Sequence, residues 1–110
     1  MPRSICPRIQ VQLHHHAPAR HHRELGAFVR YCVRRLEREL GASERWVVTI
    51  VPEMRGFRST VAVHDGDRVL QRSSNGLDGA LATWDALCIL EQALRESRAA
   101  RTARAFAFDL

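Results

Sequence analysis

Residues 24–40, ELGAFVRYCVRRLEREL, decide the fold of this chain. Leu25, Phe28, Val29, Cys32, Val33, Leu36 and Leu40 recur at the i, i+3, i+4, i+7 spacing of a helix with one buried stripe. Gly41 follows and predicts a left-handed cap at its end. Beyond it the period changes from helical to alternating. Trp46–Pro52 is almost wholly apolar, as a central strand covered on part of both faces would be. Phe57–His64 alternates, Asp65-Gly66 signals a two-residue hairpin with positive φ at both central positions, and Arg68–Ser74 alternates again as a peripheral strand.

A second amphipathic helix spans Asp78 to Arg98, with Asp78 as its cap and an apolar arc of Leu77, Leu81, Trp84, Leu87, Cys88, Leu90 and Leu94. That arc is wider than a small sheet needs to cover it. Trp84 and Cys88 either complete the core or extend an exposed strip fit for self-association. Ahead of the first helix, Ile9, Val11 and Leu13 alternate with Gln10 and Gln12 as a half-buried strand. His14 to Arg23 reads as a polar connecting loop containing Pro18. The order is β-α-β-β-β-α. Residues 1–8 are expected to be a mobile basic arm, 9–98 the domain, and 99–110 a tail that starts helix-like and ends in apolar AFAFDL, too short to form an element of its own.

At 110 residues with 45% apolar and 26% charged content, the chain suits one modest two-layer domain. No apolar run approaches the roughly 18–20 residues needed to span a membrane, and the N-terminus lacks the apolar core of a signal peptide. The expected location is cytoplasmic. Cys6, Cys32 and Cys88 are too few and too scattered for a disulfide framework, and buried free thiols are expected.

All seventeen basic residues are arginine and the formal net charge is +5. Its distribution matters more than its size. Residues 24–98 hold eleven arginines against eleven acidic residues, so the excess lies at the two ends. Any footprint for a polyanion on the body must be a local patch. Three groups are candidates. Arg30, Arg34 and Arg38 lie at i, i+4, i+8 on the face of the first helix opposite its stripe, although Glu37 and Glu39 could neutralise them. Arg95, Arg98 and Arg101 lie near the end of the second helix. Arg55 and Arg58 sit around the loop between the second and third strands. Arginine suits phosphate because its guanidinium is a planar, bidentate donor.

His14, His15, His16, His21 and His22 crowd one segment, but no Cys and only Glu24 accompanies them, so no metal site is expected. Their protonation would add positive charge to a basic segment. No nucleophile with a neighbouring base, glycine-rich phosphate loop or paired carboxylates can be found; no enzyme activity and no cofactor is expected.

The first helix resembles that of the bacterial ribosome hibernation-promoting factors and ribosome-associated inhibitors, L-x-x-[FY]-V-x-x-x-[LF]-x-x-L-E, in register at Leu25, Phe28, Val29, Val33, Leu36 and Glu37. The second is similar to that family's D-M-Y-A-A-I-D-x-x-x-D-K-L-E-x-Q-L at Asp78, Ala82, Leu90, Glu91 and Leu94. Ala80, Ile89 and Gln92 stand where the family has an aromatic residue and basic ones. The resemblance covers residues 9–98. It implies a two-layer α+β fold, with a four-stranded mixed sheet whose first two strands are parallel and both helices on one face. It implies binding to the small ribosomal subunit and its rRNA, with translation blocked under stress. Arg30, Arg34, Arg38, Arg55, Arg58, Arg95, Arg98 and Arg101 are the residues expected to contact phosphate there. The alternative is a diverged interaction module, a homodimer through Trp84 and Cys88. A double-stranded-RNA-binding domain shares the α-β-β-β-α order, but Gly76-Leu77-Asp78-Gly79 replaces the lysine cluster expected to open its final helix.

Overall fold

The structure, a computed structural model, describes residues 8–14 and 16–108, with side chains through Ala103. Residues 1–7 with Cys6, His15 and the last two residues of the apolar tail lie outside the described residues. The elements are β1 (Ile9–Leu13), α1 (Ala19–Leu40), β2 (Arg45–Glu53), β3 (Gly56–Asp65), β4 (Arg68–Gly76) and α2 (Gly79–Phe108). They form one sheet in the order β1-β2-β3-β4, with β1 parallel to β2 and the other pairs antiparallel. This is the two-layer α+β arrangement that the sequence implies.

Alternation puts Trp46, Val48 and Ile50 of β2 and Ser59, Val61 and Val63 of β3 on one face, where each is buried. Val29, Val33 and Leu36 of α1 and Ala86, Leu87, Leu90 and Leu94 of α2 close over them. α2 lies across β3 and β4, and α1 lies beside it near β1. The opposite face of the sheet is polar, with Gln12 bonded to Thr49 (3.4 Å) and Thr60 to Ser73 (2.7 Å). One polar pair is inside the core: the Ser59 and Thr83 hydroxyls meet at 2.8 Å, and Thr83 also donates to the Gly79 carbonyl at 2.8 Å. Each hydroxyl thereby escapes the cost of burial without a partner.

Several local expectations are corrected. α1 begins at Ala19 rather than Glu24, so His21, Arg20 and Arg23 are helical and not in a loop. Pro18 precedes the first helical residue, a place where its fixed φ and missing N–H cost nothing. α2 does not stop at Arg98. The alanine-rich stretch after it carries the helix on to Phe108. Gly41 has φ 90 and ψ 157, so it closes α1 with positive φ but outside the left-handed helical region, its N–H bonding the Glu37 carbonyl. The β3–β4 turn centres on Gly66-Asp67, and only Gly66 has positive φ, as a type II′ turn needs at its first central position. Gly76 is not a turn glycine. A Cβ there would lie 2.6 Å from the Ala82 nitrogen, so its absence lets the end of β4 press against the start of α2. The Asp78 cap is as expected, its carboxylate accepting from the Leu81 N–H at 2.8 Å.

Candidate nucleic-acid interface

α1 turns its arginines outward and its acids elsewhere. Arg23, Arg30, Arg34 and Arg38 are exposed, and among the described residues none of them is ion-paired. The acids that could have neutralised the row each have another partner. Glu37, with its side chain 9% exposed, is tucked under the helix. It accepts from Arg8 (Nη2–Oε1 2.9 Å), from the Ser43 N–H (2.9 Å) and from the Trp46 indole (3.2 Å). Burial pushes this carboxyl up, but the bonds from Arg8, Ser43 and Trp46 together outweigh it and leave it below the usual carboxylate range. Arg8 is therefore tied to the domain and not part of a mobile arm. Glu39 is drawn sideways to Arg95 of α2 at 2.6 Å, and Glu24 pairs with Arg20 at 3.0 Å.

The row from Arg23 to Arg38 spans about 22 Å at 1.5 Å per residue. Arg23 was missed in the sequence because polar residues carry no apolar period; the available signal was Pro18, which marks a helix start.

The other expected contacts are dispersed. Arg95 bonds both Glu39 and Glu91. Arg58 is on the polar face of the sheet and pairs with Glu53. Arg55 sits exposed at the β2–β3 turn. Arg98 and Arg101 come together around Leu40, Gly41 and Asp65, at the end where α1 finishes. Arg68, which the sequence did not single out, adds a third guanidinium near Asp65 and Arg101. The structure thus brings together Arg30, Arg34 and Arg38 on one helix and Arg98 with Arg101 at one end, and separates both groups from Arg55 and Arg58.

Between the helices runs a groove lined by Cys32, Arg35, Leu36 and Glu39 of α1 and Trp84, Leu87, Cys88 and Glu91 of α2. The helices are parallel, with residue n of α1 facing a residue 56 positions on, as in the Glu39–Arg95 pair. Phe28 and Trp84 obey the same offset, their ring centroids 6.5 Å apart. Cys32 is buried as expected but Cys88 is exposed, and both are free thiols. Burial raises the pKa of Cys32, and partial desolvation with the nearby Glu91 and Asp85 carboxylates raises that of Cys88. Trp84 is 42% exposed and aligns with exposed Leu81 and Cys88 along one side of α2, with exposed Leu77 just ahead of the helix. Trp84 therefore does not complete the core.

Among the described residues no cluster of three or more His, Cys, Asp or Glu is placed to hold a metal ion, and no helix is long and apolar enough to cross a membrane. No family model matches the sequence, and no curated protein matches it. Among solved structures, the crystal structure of the Thermus thermophilus Protein Y N-terminal domain superposes with a TM-score of 0.64 at 15% sequence identity, covering 79% of this chain and 93% of that one. The chain has the Protein Y N-terminal fold. At that identity the Protein Y match speaks to shape alone. It agrees with the fold implied by the register of the two helices, and it leaves the site to be argued from this chain's own arginines.

Proposed function

We propose that this protein is a ribosome-associated hibernation factor that binds rRNA of the small subunit and inhibits translation by occupancy, without chemistry. The observation that carries the reading is the acid-free arginine row on α1, reached because Glu37 and Glu39 are engaged elsewhere. Arg30, Arg34 and Arg38 meet phosphate directly, with Arg23 extending the row. Arg98 and Arg101 add a second contact at the far end of the helices. Arg55 is a peripheral contact, while Arg58 and Arg95, held by Glu53 and by Glu39 with Glu91, stay outside the footprint. The Protein Y fold and the resemblance of both helices to hibernation factors support the same reading, and with it a cytoplasmic location.

Co-sedimentation with ribosomes and isolated small subunits tests it. Association that weakens with salt and is lost in Arg30→Glu/Arg34→Glu/Arg38→Glu is expected. Absence of association at both low and physiological salt overturns it.

A second reading rests on the exposed line of Leu81, Trp84 and Cys88, with Leu77 just ahead of it. Here the fold serves as an interaction module that self-associates through α2. A dimer in sizing chromatography that dissociates on Trp84→Ala, together with no ribosome association, favours it over the first.

A further inference from the structure

The two edges of the sheet are finished differently. Along β4, the Arg72 guanidinium donates to the Gln71 carbonyl at 2.6 Å, so a backbone acceptor on that strand is taken by the strand's own side chain. No such device covers β1 among the described residues.

The direction of the β1 backbone groups follows from two bonds. The Arg8 carbonyl accepts from the Trp46 N–H at 2.8 Å, and the His14 N–H donates to the Ile50 carbonyl at 3.0 Å. In a parallel pair the bonding residues alternate along the strand. Residues 8, 10, 12 and 14 therefore bond β2, and Ile9, Val11 and Leu13 send their N–H and C=O groups to the free edge.

That edge is one wall of an open groove of about 600 Å³. The other wall is the flank of α1, with His22, Arg23, Gly26 and Arg30. Gly26 lies in mid-helix without positive φ, so no backbone conformation demands it. Its value is space. A Cβ there would meet the Arg30 guanidinium at 3.3 Å, which means Arg30 folds back along the helix over Gly26, toward the groove.

We propose that the β1 edge is a docking site for an extended acidic peptide of a partner protein, which adds a fifth strand beside β1 and places a carboxylate between Arg23 and Arg30. Three N–H donors and three C=O acceptors alternate along the edge, and only a peptide backbone satisfies both. A nucleic-acid backbone offers phosphate acceptors alone and would leave the three carbonyls unmet. Pairing with a second copy of β1 would bring two sets of Arg23 and Arg30 together with no carboxylate supplied to the groove. An acidic strand answers both conditions.

The test uses the full chain and three fluorescent probes: an alternating valine–aspartate octapeptide, its valine–lysine counterpart, and a single-stranded RNA octamer. The valine–aspartate probe is expected to bind at least tenfold more tightly than the valine–lysine probe, and to shift the Ile9, Val11 and Leu13 amide resonances. Arg23→Glu/Arg30→Glu, both surface changes, should erase the preference. N-methylation of the probe backbone should abolish binding with the protein unaltered. Val11→Pro should do the same from the other side, because it deletes an edge N–H while leaving the β2 ladder intact. Equal binding of the two peptides, binding insensitive to N-methylation, capture of the RNA alone at these amides, or a concentration-dependent dimer lost in Val11→Pro would each overturn the proposal.

Discussion

α1 and α2 lie side by side on one sheet, run in the same direction and both carry arginines, yet they present opposite surfaces. On α1 the acids are withdrawn, Glu37 beneath the helix to Arg8 and Trp46, and Glu39 sideways to Arg95. What remains outside is a line of guanidinium groups with no ion pair among the described residues. On α2, Arg95 is held by two carboxylates and the exposed line is apolar, from Leu81 to Cys88. A nearly neutral body therefore still holds one strongly basic face, because the pairing of charges and not their number decides what solvent and partners meet.

The largest effect expected from this contrast is on ribosome association. Arg30→Glu/Arg34→Glu/Arg38→Glu should abolish it, and single Arg→Gln changes should each lower the slope of log affinity against log salt by roughly 0.7–0.9. Arg95→Gln, which lacks a free guanidinium to lose, should leave that slope unchanged in the same co-sedimentation series. An equal effect from both helices would erase the distinction.

Next is the withdrawal of the acids itself. Glu37→Gln breaks charge-assisted bonds in a part-buried setting and should cost about 1–3 kcal/mol in denaturant unfolding. Glu91→Gln, whose partner is surface-exposed, should cost little. The pH dependence follows from the same bonds. Glu37 is held below its ordinary value in the folded state, so its contribution is complete above the unfolded carboxyl pKa near 4.3 and is lost as pH falls through the lower folded value. Acid titration of the wild type should show this loss, and Glu37→Gln should flatten it.

The smallest effect is at Gly26. Alanine there gains up to about 1 kcal/mol of helix propensity and need only displace the mobile end of Arg30. Gly26→Ala should therefore raise the melting temperature by a few degrees.

The layout of the domain was legible because strand and helix periods differ and their order is unambiguous from Ile9 to Leu94. Its site was legible only in part. The α1 row could be seen as a spacing, but its freedom from acid could not: Glu37 finds Arg8 29 residues away, and Glu39 finds Arg95 56 residues away. Local sequence suggested instead that Glu37 and Glu39 would quench the neighbouring arginines. The helix ends were misjudged for a related reason. Residues 19–23 and 99–108 are helical without an apolar stripe, so periodicity is silent there and only Pro18 and the alanine content speak. Gly76 looked like a turn residue because its role, contact with the Ala82 backbone, exists only in three dimensions.

The buried meeting of Ser59 and Thr83 has a further consequence for how the surface can respond to a partner. Ratcheting α2 by one turn along the sheet would leave the Ser59 hydroxyl unmet inside an apolar layer, a cost of about 1–3 kcal/mol, while Thr83 would keep its bond to the Gly79 carbonyl. A helix pinned in that way has one seat. The domain should meet its targets as a rigid body, adjusting by the rotamers of its arginines while the spacing between the two helices stays fixed.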